Sequence, residues 1–213
     1  MKRIVLASSS PRRRRLLREL GVVFSVRVPD VDERPLPGEL PGPHVRRLAL
    51  AKARAVSREL VPGGAARWVI GADTVVVLDG DILGKPRDAA HAAVMLARLS
   101  GRTHEVLTGV ALVPACGGRA RTAVVRTRVL MKPFDAQAIR RYVASGEPLD
   151  KAGAYAMQGR GRHLIAHVSG SLTNVVGLPL ERLEQLLAAA GVVLALRSGE
   201  TRPGRSAGDP RDE

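Results

Sequence analysis

Cysteine is nearly absent: Cys116 is the only one in 213 residues, so an internal disulfide and a multi-cysteine zinc site are both excluded. That usage fits a reducing compartment, with Cys116 itself reading as an inert loop thiol. Aromatic residues make up only 2%, which leaves few ring faces for nucleic-acid bases to stack on. Lysine is scarce too, occurring only at Lys2, Lys52, Lys85, Lys132 and Lys151, and every other cation is an arginine scattered along the chain. The formal charge of +14 therefore reads as an arginine-for-lysine bias, not the footprint of a specific nucleic acid. What remains of it is a positive field that attracts small polyanions. No apolar run approaches the roughly 20 residues that a membrane span needs. Arg12 to Arg15 follow too short an apolar stretch for a signal peptide, so a soluble, cytoplasmic protein without membrane partners is expected.

Several signatures are missing as well. Gly80 to Lys85 falls short of a phosphate-binding Walker loop in spacing and runs into Pro86, and Gly159-Arg160-Gly161 lacks the third glycine of a dinucleotide fingerprint. No G-x-S-x-G nucleophile elbow occurs. His163 and His167 sit beside an expected strand, where residues four apart are separated by about 13 Å, too far to chelate one ion.

What is present suits one compact domain, with 45% hydrophobic and 25% charged residues. Arg3 to Ala7 reads as a buried strand and Ser8-Ser9-Ser10-Pro11 as a helix start, since serine caps and proline fits the first helical turn. That helix stops at Gly21, and Val22 to Val28 reads as a second strand. A Pro/Gly-rich loop from Pro29 to Pro43 carries Asp32 and Glu33, and a helix is expected from about His44 to Leu60. Trp68 to Leu78 is the strongest strand candidate, with Asp79-Gly80 turning into Ile82 and Leu83. A helix over Asp88 to Leu99 follows, then a hairpin of His104 to Val113 with Arg121 to Met131, then a helix over Asp135 to Ala144. The polar, glycine-rich stretch Gly146 to Gly161 is expected to line a site. Leu164 to Ser169 reads as a strand, Leu180 to Ala190 as a helix, Val192 to Leu196 as a last strand, and the Gly/Pro/Arg/Asp tail from Ser198 as disordered.

Three placements resist explanation by packing. Asp73 lies inside Val69-Ile70-Gly71-Ala72-Asp73-Thr74-Val75-Val76-Val77, where an unpartnered carboxylate costs several kcal/mol or protonates. It needs a cation, a metal or solvent at a cleft, unless it is a strand-end aspartate bonded to backbone amides. Lys52 sits near the centre of the helical stripe Val45, Leu48, Ala49, Ala53 and Val56, so it faces the core or a cavity, unless its stem snorkels outward. Ser8 to Arg13 brings free amides and hydroxyls at a helix start together with two guanidinium groups, a combination that suits phosphate but also occurs on solvated faces.

The motifs Leu6-Ala7-Ser8-Ser9-Ser10-Pro11-Arg12-Arg13, Gly71-Ala72-Asp73-Thr74-Val75-Val76 and Leu83-Gly84-Lys85-Pro86 resemble those of the Maf nucleotide pyrophosphatases, also called septum-formation inhibitors. The likeness continues through Thr108-Gly109-Val110, Gly146-Glu147, Asp150-Lys151-Ala152-Gly153-Ala154-Tyr155, Gln158-Gly159 and Asn174 to Leu180, and covers nearly everything but the tail. The resemblance implies an α/β fold related to inosine triphosphate pyrophosphatases: a long mixed sheet flanked by helices, in one bilobed domain over residues 1–197 with a deep cleft. It further implies cleavage of a nucleoside triphosphate to the monophosphate and pyrophosphate, with a divalent cation, Mg²⁺ or Mn²⁺, as cofactor, and a homodimer.

By the same likeness Ser9, Arg13, Lys52 and Lys85 would bind the triphosphate, and Glu33 and Asp73 would hold the metal, either carboxylate serving as base. Asp73, Glu33, Lys52 and Lys85 form the expected catalytic group. Arg12, Thr74 and Gln158 would meet the base and resemble the dTTP/UTP branch, against the alternatives of 7-methyl-GTP specificity or a basic division-regulating protein with vestigial activity. The sequence departs from the family pattern at Arg14-Arg15, Ala156-Met157 and Leu172, which leaves fine substrate preference open.

Overall fold

The computed structural model describes residues 4–61, 63–64 and 67–192. The expected disordered tail and all but the first residue of the expected strand from Val192 lie outside the described residues. The chain forms a seven-stranded mixed sheet: β1 (Ile4–Ala7), β2 (Phe24–Arg27), β3 (Trp68–Leu78), β4 (Asp81–Leu83), β5 (Thr103–Pro114), β6 (Arg121–Met131) and β7 (Ile165–Ser169). The order is β2-β1-β3-β5-β6-β7, with β4 pairing β3 outside this path. β1 runs parallel to both β2 and β3, and every later pairing is antiparallel. Among the described residues no helix is long and apolar enough to cross a membrane.

The expected helices appear as α1 (Pro11–Glu19), α2 (Pro41–Arg58), α3 (Ala89–Leu99), α4 (Ala136–Ala144) and α6 (Leu180–Ala189). Ser10 caps α1 by accepting from the Arg13 amide, and Asp88 and Asp135 cap α3 and α4 in the same way. The start of α2 is earlier than expected, at Pro41 rather than His44. Proline lacks only an amide that the first turn leaves unbonded anyway, so Pro41 and Pro43 open the helix instead of preceding it. A short helix, α5 (Leu172–Val176), was not expected, because five residues are too few to show a periodicity. The glycine-rich stretch holds three 3-10 turns, Glu147–Asp150, Ala152–Ala154 and Arg160–Leu164.

Strand alternation divides the core. Val69, Val75, Val77, Leu107, Ala111 and Val113 turn toward α2, where Val45, Ala49, Ala53 and Val56 meet them. On the opposite face, Ile70, Ala72, Val110 and Leu112 pack with α1 and α6, while Val76, Leu78 and Val106 pack with α3, Ile139 and Tyr155. Between those two clusters, paired across β3 and β5, stand Thr74 and Thr108. This polar seam separates two apolar masses on one sheet face, and the cleft opens along it.

α2 lies unusually close to the other face. A Cβ on Gly71 would stand 2.2 Å from the Ala49 carbonyl oxygen, and one on Gly109 would stand 2.1 Å from that of Val45. Only glycine fits at either position, and the close approach brings Lys52 over Asp73.

Candidate active site

Asp73 sits in the middle of β3 on the α2 face and is buried, as is Lys52. The Lys52 ammonium donates to Asp73 Oδ1 at 2.7 Å and lies 2.7 Å from Glu33 Oε1. The buried carboxylate therefore has a cation partner, and the strand-end alternative, in which backbone amides satisfy it, is set aside. The snorkelling alternative for Lys52 falls with it, since its charge points inward. Truncating one member would leave the other charged and buried, a far larger loss than any surface pair would show.

Glu33 comes from the irregular loop before α2, and a second ion cluster fixes that loop. Glu39 accepts from Arg47 Nε at 2.6 Å and from Arg47 Nη2 at 2.6 Å, contacts His44 Nδ1 at 2.9 Å, and accepts from the Leu36 amide. Arg47 also donates to the Arg34 carbonyl, one residue beyond Glu33. The Arg47 hydrogen bonds, working against partial desolvation and joined by those of His44 and the Leu36 amide, hold the Glu39 carboxyl far below the ordinary range. Partial burial pulls the Glu33 carboxyl up, but the hydrogen bond and charge of Lys52, with the charges of Lys85 and Arg13, outweigh it and keep Glu33 below its usual value. Glu33 is thus ionised wherever the protein works near neutrality.

Arg13 enters from α1 on the other sheet face. Its Nε donates to the Gly177 carbonyl at 2.8 Å, Nη1 to Ser8 Oγ at 3.3 Å and Nη2 to Thr74 Oγ1 at 3.1 Å. All three acceptors are neutral. Burial lowers its pKa, opposed by the charge of Asp73, assisted by that of Arg12 and opposed again by Glu33, so the guanidinium sits in their common field. Thr74 Oγ1 in turn contacts Thr108 Oγ1 at 3.0 Å, and Thr108 donates to the Asn174 carbonyl at 3.1 Å. The seam between the two apolar clusters is thus the scaffold of Arg13.

These groups line one cleft of about 600 Å³, within the range of small-molecule sites. Its walls carry all nine residues singled out from the sequence: Ser9, Arg12, Arg13, Glu33, Lys52, Asp73, Thr74, Lys85 and Gln158. Ser9, Lys85 and Gln158 are exposed to it. Arg12 reaches across to Asp150 on the far wall, Nη1 to Oδ2 at 3.4 Å. The glycine-rich stretch supplies that wall through Asp150, Lys151, Ala152 and Tyr155 to Gln158.

Thr108, Gly177, Asn174 and the Glu39–Arg47 pair escaped the sequence reading as site residues. They act over separations of up to 164 residues, as from Arg13 to Gly177, which no local pattern reveals. Thr108, Asn174 and Gly177 did stand inside quoted motifs, and that was the available signal.

Among the described residues no group of three or more His, Cys, Asp or Glu side chains gathers as a ready-made metal cage. Glu33 and Asp73 nonetheless present a hard oxygen pair at the cleft, the donor set that Mg²⁺ accepts when phosphates and water complete its shell. The residues fit such an ion.

Comparison with known proteins bears on this arrangement. The Maf-like protein family model matches residues 3–190. A dTTP/UTP pyrophosphatase of Symbiobacterium thermophilum is 53% identical over 191 residues, covering 90% of this chain and 95% of that one. One from Myxococcus xanthus is 52% identical over 195 residues, covering 92% and 96%. Among solved structures, the Staphylococcus aureus Ham1 protein aligns over 88% of this chain and 98% of its own, at 16% identity and a TM-score of 0.47. With the family model spanning both walls of the cleft and relatives half identical along nearly their whole length, the chain belongs to the Maf-like protein family.

Proposed function

We propose that the protein hydrolyses nucleoside triphosphates, dTTP and UTP foremost, to the nucleoside monophosphate and pyrophosphate. The observation that carries this reading is the Lys52 ammonium held between Asp73 and Glu33 at 2.7 Å from each, in a cleft whose other charged residues are Arg12, Arg13, Lys85, Asp150 and Lys151. Three carboxylates among five cations suit a polyphosphate and the ion that accompanies it. The names of the relatives supply the pyrimidine preference.

In this reading Ser9, Arg13, Lys52 and Lys85 bind the triphosphate, with Arg13 already held in place by Gly177, Ser8 and Thr74. Prepositioned cations stabilise the charge that grows on the departing pyrophosphate without having to reorganise when it forms. Glu33 and Asp73 would hold a divalent ion such as Mg²⁺, which when bound screens the phosphate oxygens and favours attack by water. Either carboxylate can accept the proton of that water, and Lys52, 2.7 Å from an oxygen of each, holds both aimed into the cleft. Arg12, Thr74 and Gln158 discriminate the base. A donor or acceptor left unpaired by the wrong base costs about 1 to 3 kcal/mol, enough for clear selection.

The test is a panel of canonical and modified nucleoside triphosphates incubated with purified protein, with and without a chelator, and products separated by ion-exchange chromatography. The reading requires monophosphate and pyrophosphate from dTTP and UTP, suppression by the chelator, and loss of turnover in a folded Asp73→Asn variant. Preference for 7-methyl-GTP would overturn the base assignment alone. Absence of pyrophosphate from every nucleotide, with tight DNA binding, would overturn the reaction.

A further inference from the structure

Gln158 is exposed at the cleft, on a chain segment with no regular secondary structure, and its side chain has no hydrogen-bond partner among the described residues. A glutamine that reads a base needs a backbone that does not move. The segment around it is fastened at both ends by two side chains from outside it. Tyr142, buried on α4, accepts from the Ala156 amide at 3.2 Å and donates from the same hydroxyl to Glu147 Oε1 at 2.9 Å. Glu147, from the first 3-10 turn, accepts from the Arg160 amide at 2.9 Å through Oε2 and from the Gly161 amide at 2.9 Å through Oε1. One carboxylate therefore takes two successive amides at the start of a 3-10 turn and the tyrosine hydroxyl that holds the segment's other end.

The fit leaves no slack. A Cβ on Gly161 would lie 2.5 Å from the Tyr142 hydroxyl, and one on Gly159 would lie 2.7 Å from Glu147 Oε2, at a φ of +87° that already calls for glycine. Partial burial raises the Glu147 carboxyl, but the Gly161 and Arg160 amides, the Tyr142 hydroxyl and the charge of Lys151 together hold it below its ordinary value. Carboxylates that accept amides in this way form the stronger, charge-assisted class of hydrogen bond. Neither group lines the cleft.

We infer that Glu147, acting through Tyr142 and the amides of Arg160 and Gly161, is a positioning residue for base selection, holding the Ala156–Gly161 segment so that Gln158 meets the base in one register. This rests on the proposed pyrimidine-nucleotide site. It separates Glu147 from Lys52, Asp73 and Glu33, whose removal would act on turnover of every nucleotide alike.

The experiment compares steady-state constants for UTP, dTTP and GTP, with equilibrium binding of the same nucleotides, in the unaltered protein and in Glu147→Gln, Tyr142→Phe, Gln158→Ala and the Glu147→Gln/Gln158→Ala double variant. Loss of one charge-assisted contact should raise KM for UTP by about tenfold while kcat stays within about twofold. The UTP-to-GTP preference should fall by a similar factor in Glu147→Gln and Gln158→Ala, and the double variant should be no worse than Gln158→Ala alone, since both changes remove one function. Tyr142→Phe keeps the apolar contacts of the ring and serves as the second probe if Glu147→Gln does not fold. Unchanged preference in both clamp variants, or strictly additive losses in the double variant, would overturn the inference while leaving the proposed reaction standing. If the unaltered protein neither turns over nor preferentially binds UTP, the proposed function and this inference fall together.

Discussion

Gly109 stands directly across the β3–β5 ladder from Asp73, and the space its missing side chain leaves is filled by the backbone of α2 at Val45. The carboxylate meets Lys52 because a residue on the neighbouring strand lets the helix down onto the sheet. A methyl group at 109 would meet the Val45 carbonyl oxygen at 2.1 Å, which is backbone and cannot swing away. Gly109→Ala should therefore lift α2, destabilise the fold by about 1 to 3 kcal/mol or more as overpacked sites do, and lower activity beyond what the lost stability explains. Urea unfolding and kcat/KM on the folded fraction measure the two effects, and full activity in the variant would contradict this account.

Lys52→Met should be the most damaging change of a single cation in the cleft. It leaves Asp73 buried beside Glu33 with no ammonium between them, so one of the two carboxyls should take up a proton near neutrality. The expected loss in kcat is on the order of 10² to 10³, as for other groups that stabilise developing charge directly. An acidic limb of the pH–rate profile moved to higher pH would show that a carboxyl pKa has risen. Lys52→Arg should recover little, because a larger planar guanidinium takes the buried place that a compact ammonium fills between the two carboxylates.

Thr74→Val removes the hydroxyl that joins Arg13 to Thr108. The valine is nearly isosteric, so stability should change by about 1 kcal/mol through the unpaired groups left behind. The larger consequence should be a looser Arg13 and weaker nucleotide binding, with KM raised several-fold. Isothermal titration with UTP checks this, and unaltered affinity would mean that Gly177 and Ser8 suffice to hold the guanidinium.

His104 gives the fold a pH dependence separate from the chemistry. It is buried, its Nε2 lies 2.7 Å from the Tyr155 hydroxyl, and burial pushes its pKa down to about 4. Unfolded histidine titrates near 6.5, so between those values the unfolded chain binds the extra proton and the folded one does not. The stabilisation is complete above pH 6.5 and is lost as pH falls toward 4, at up to about 1.4 kcal/mol per pH unit. Guanidinium unfolding at pH 7 and pH 5 should show a smaller drop for His104→Gln than for the unaltered protein.

The sequence disclosed the elements well where a period or a cap carried them: the long β3, the serine-capped start of α1, and the β5–β6 hairpin. It disclosed Asp73 and Lys52 because each breaks an apolar pattern, and a broken pattern is visible locally. Nothing in that pattern told which cation meets which carboxylate. Glu39, and the partners of Thr108 and Asn174, were illegible for the opposite reason, since polar residues with ordinary neighbours reveal their partners only after the chain has folded. The short α5 and the earlier start of α2 mark where length and proline mislead a reading by periodicity.

Asp73 and Thr74 are consecutive in the chain, yet the strand turns one toward α2 and the other toward α1 and α5. The groups gathered around Asp73 and those gathered around Thr74 are thereby fastened to different halves of the molecule, with the sheet as a partition between them. Changes on the Thr74 side that leave the contacts of Arg13 intact should spare the geometry on the Asp73 side. A fold arranged in this way can diversify in what it selects while conserving what it does, and directed evolution of new base preferences should find its tolerated changes almost wholly on one face of the sheet.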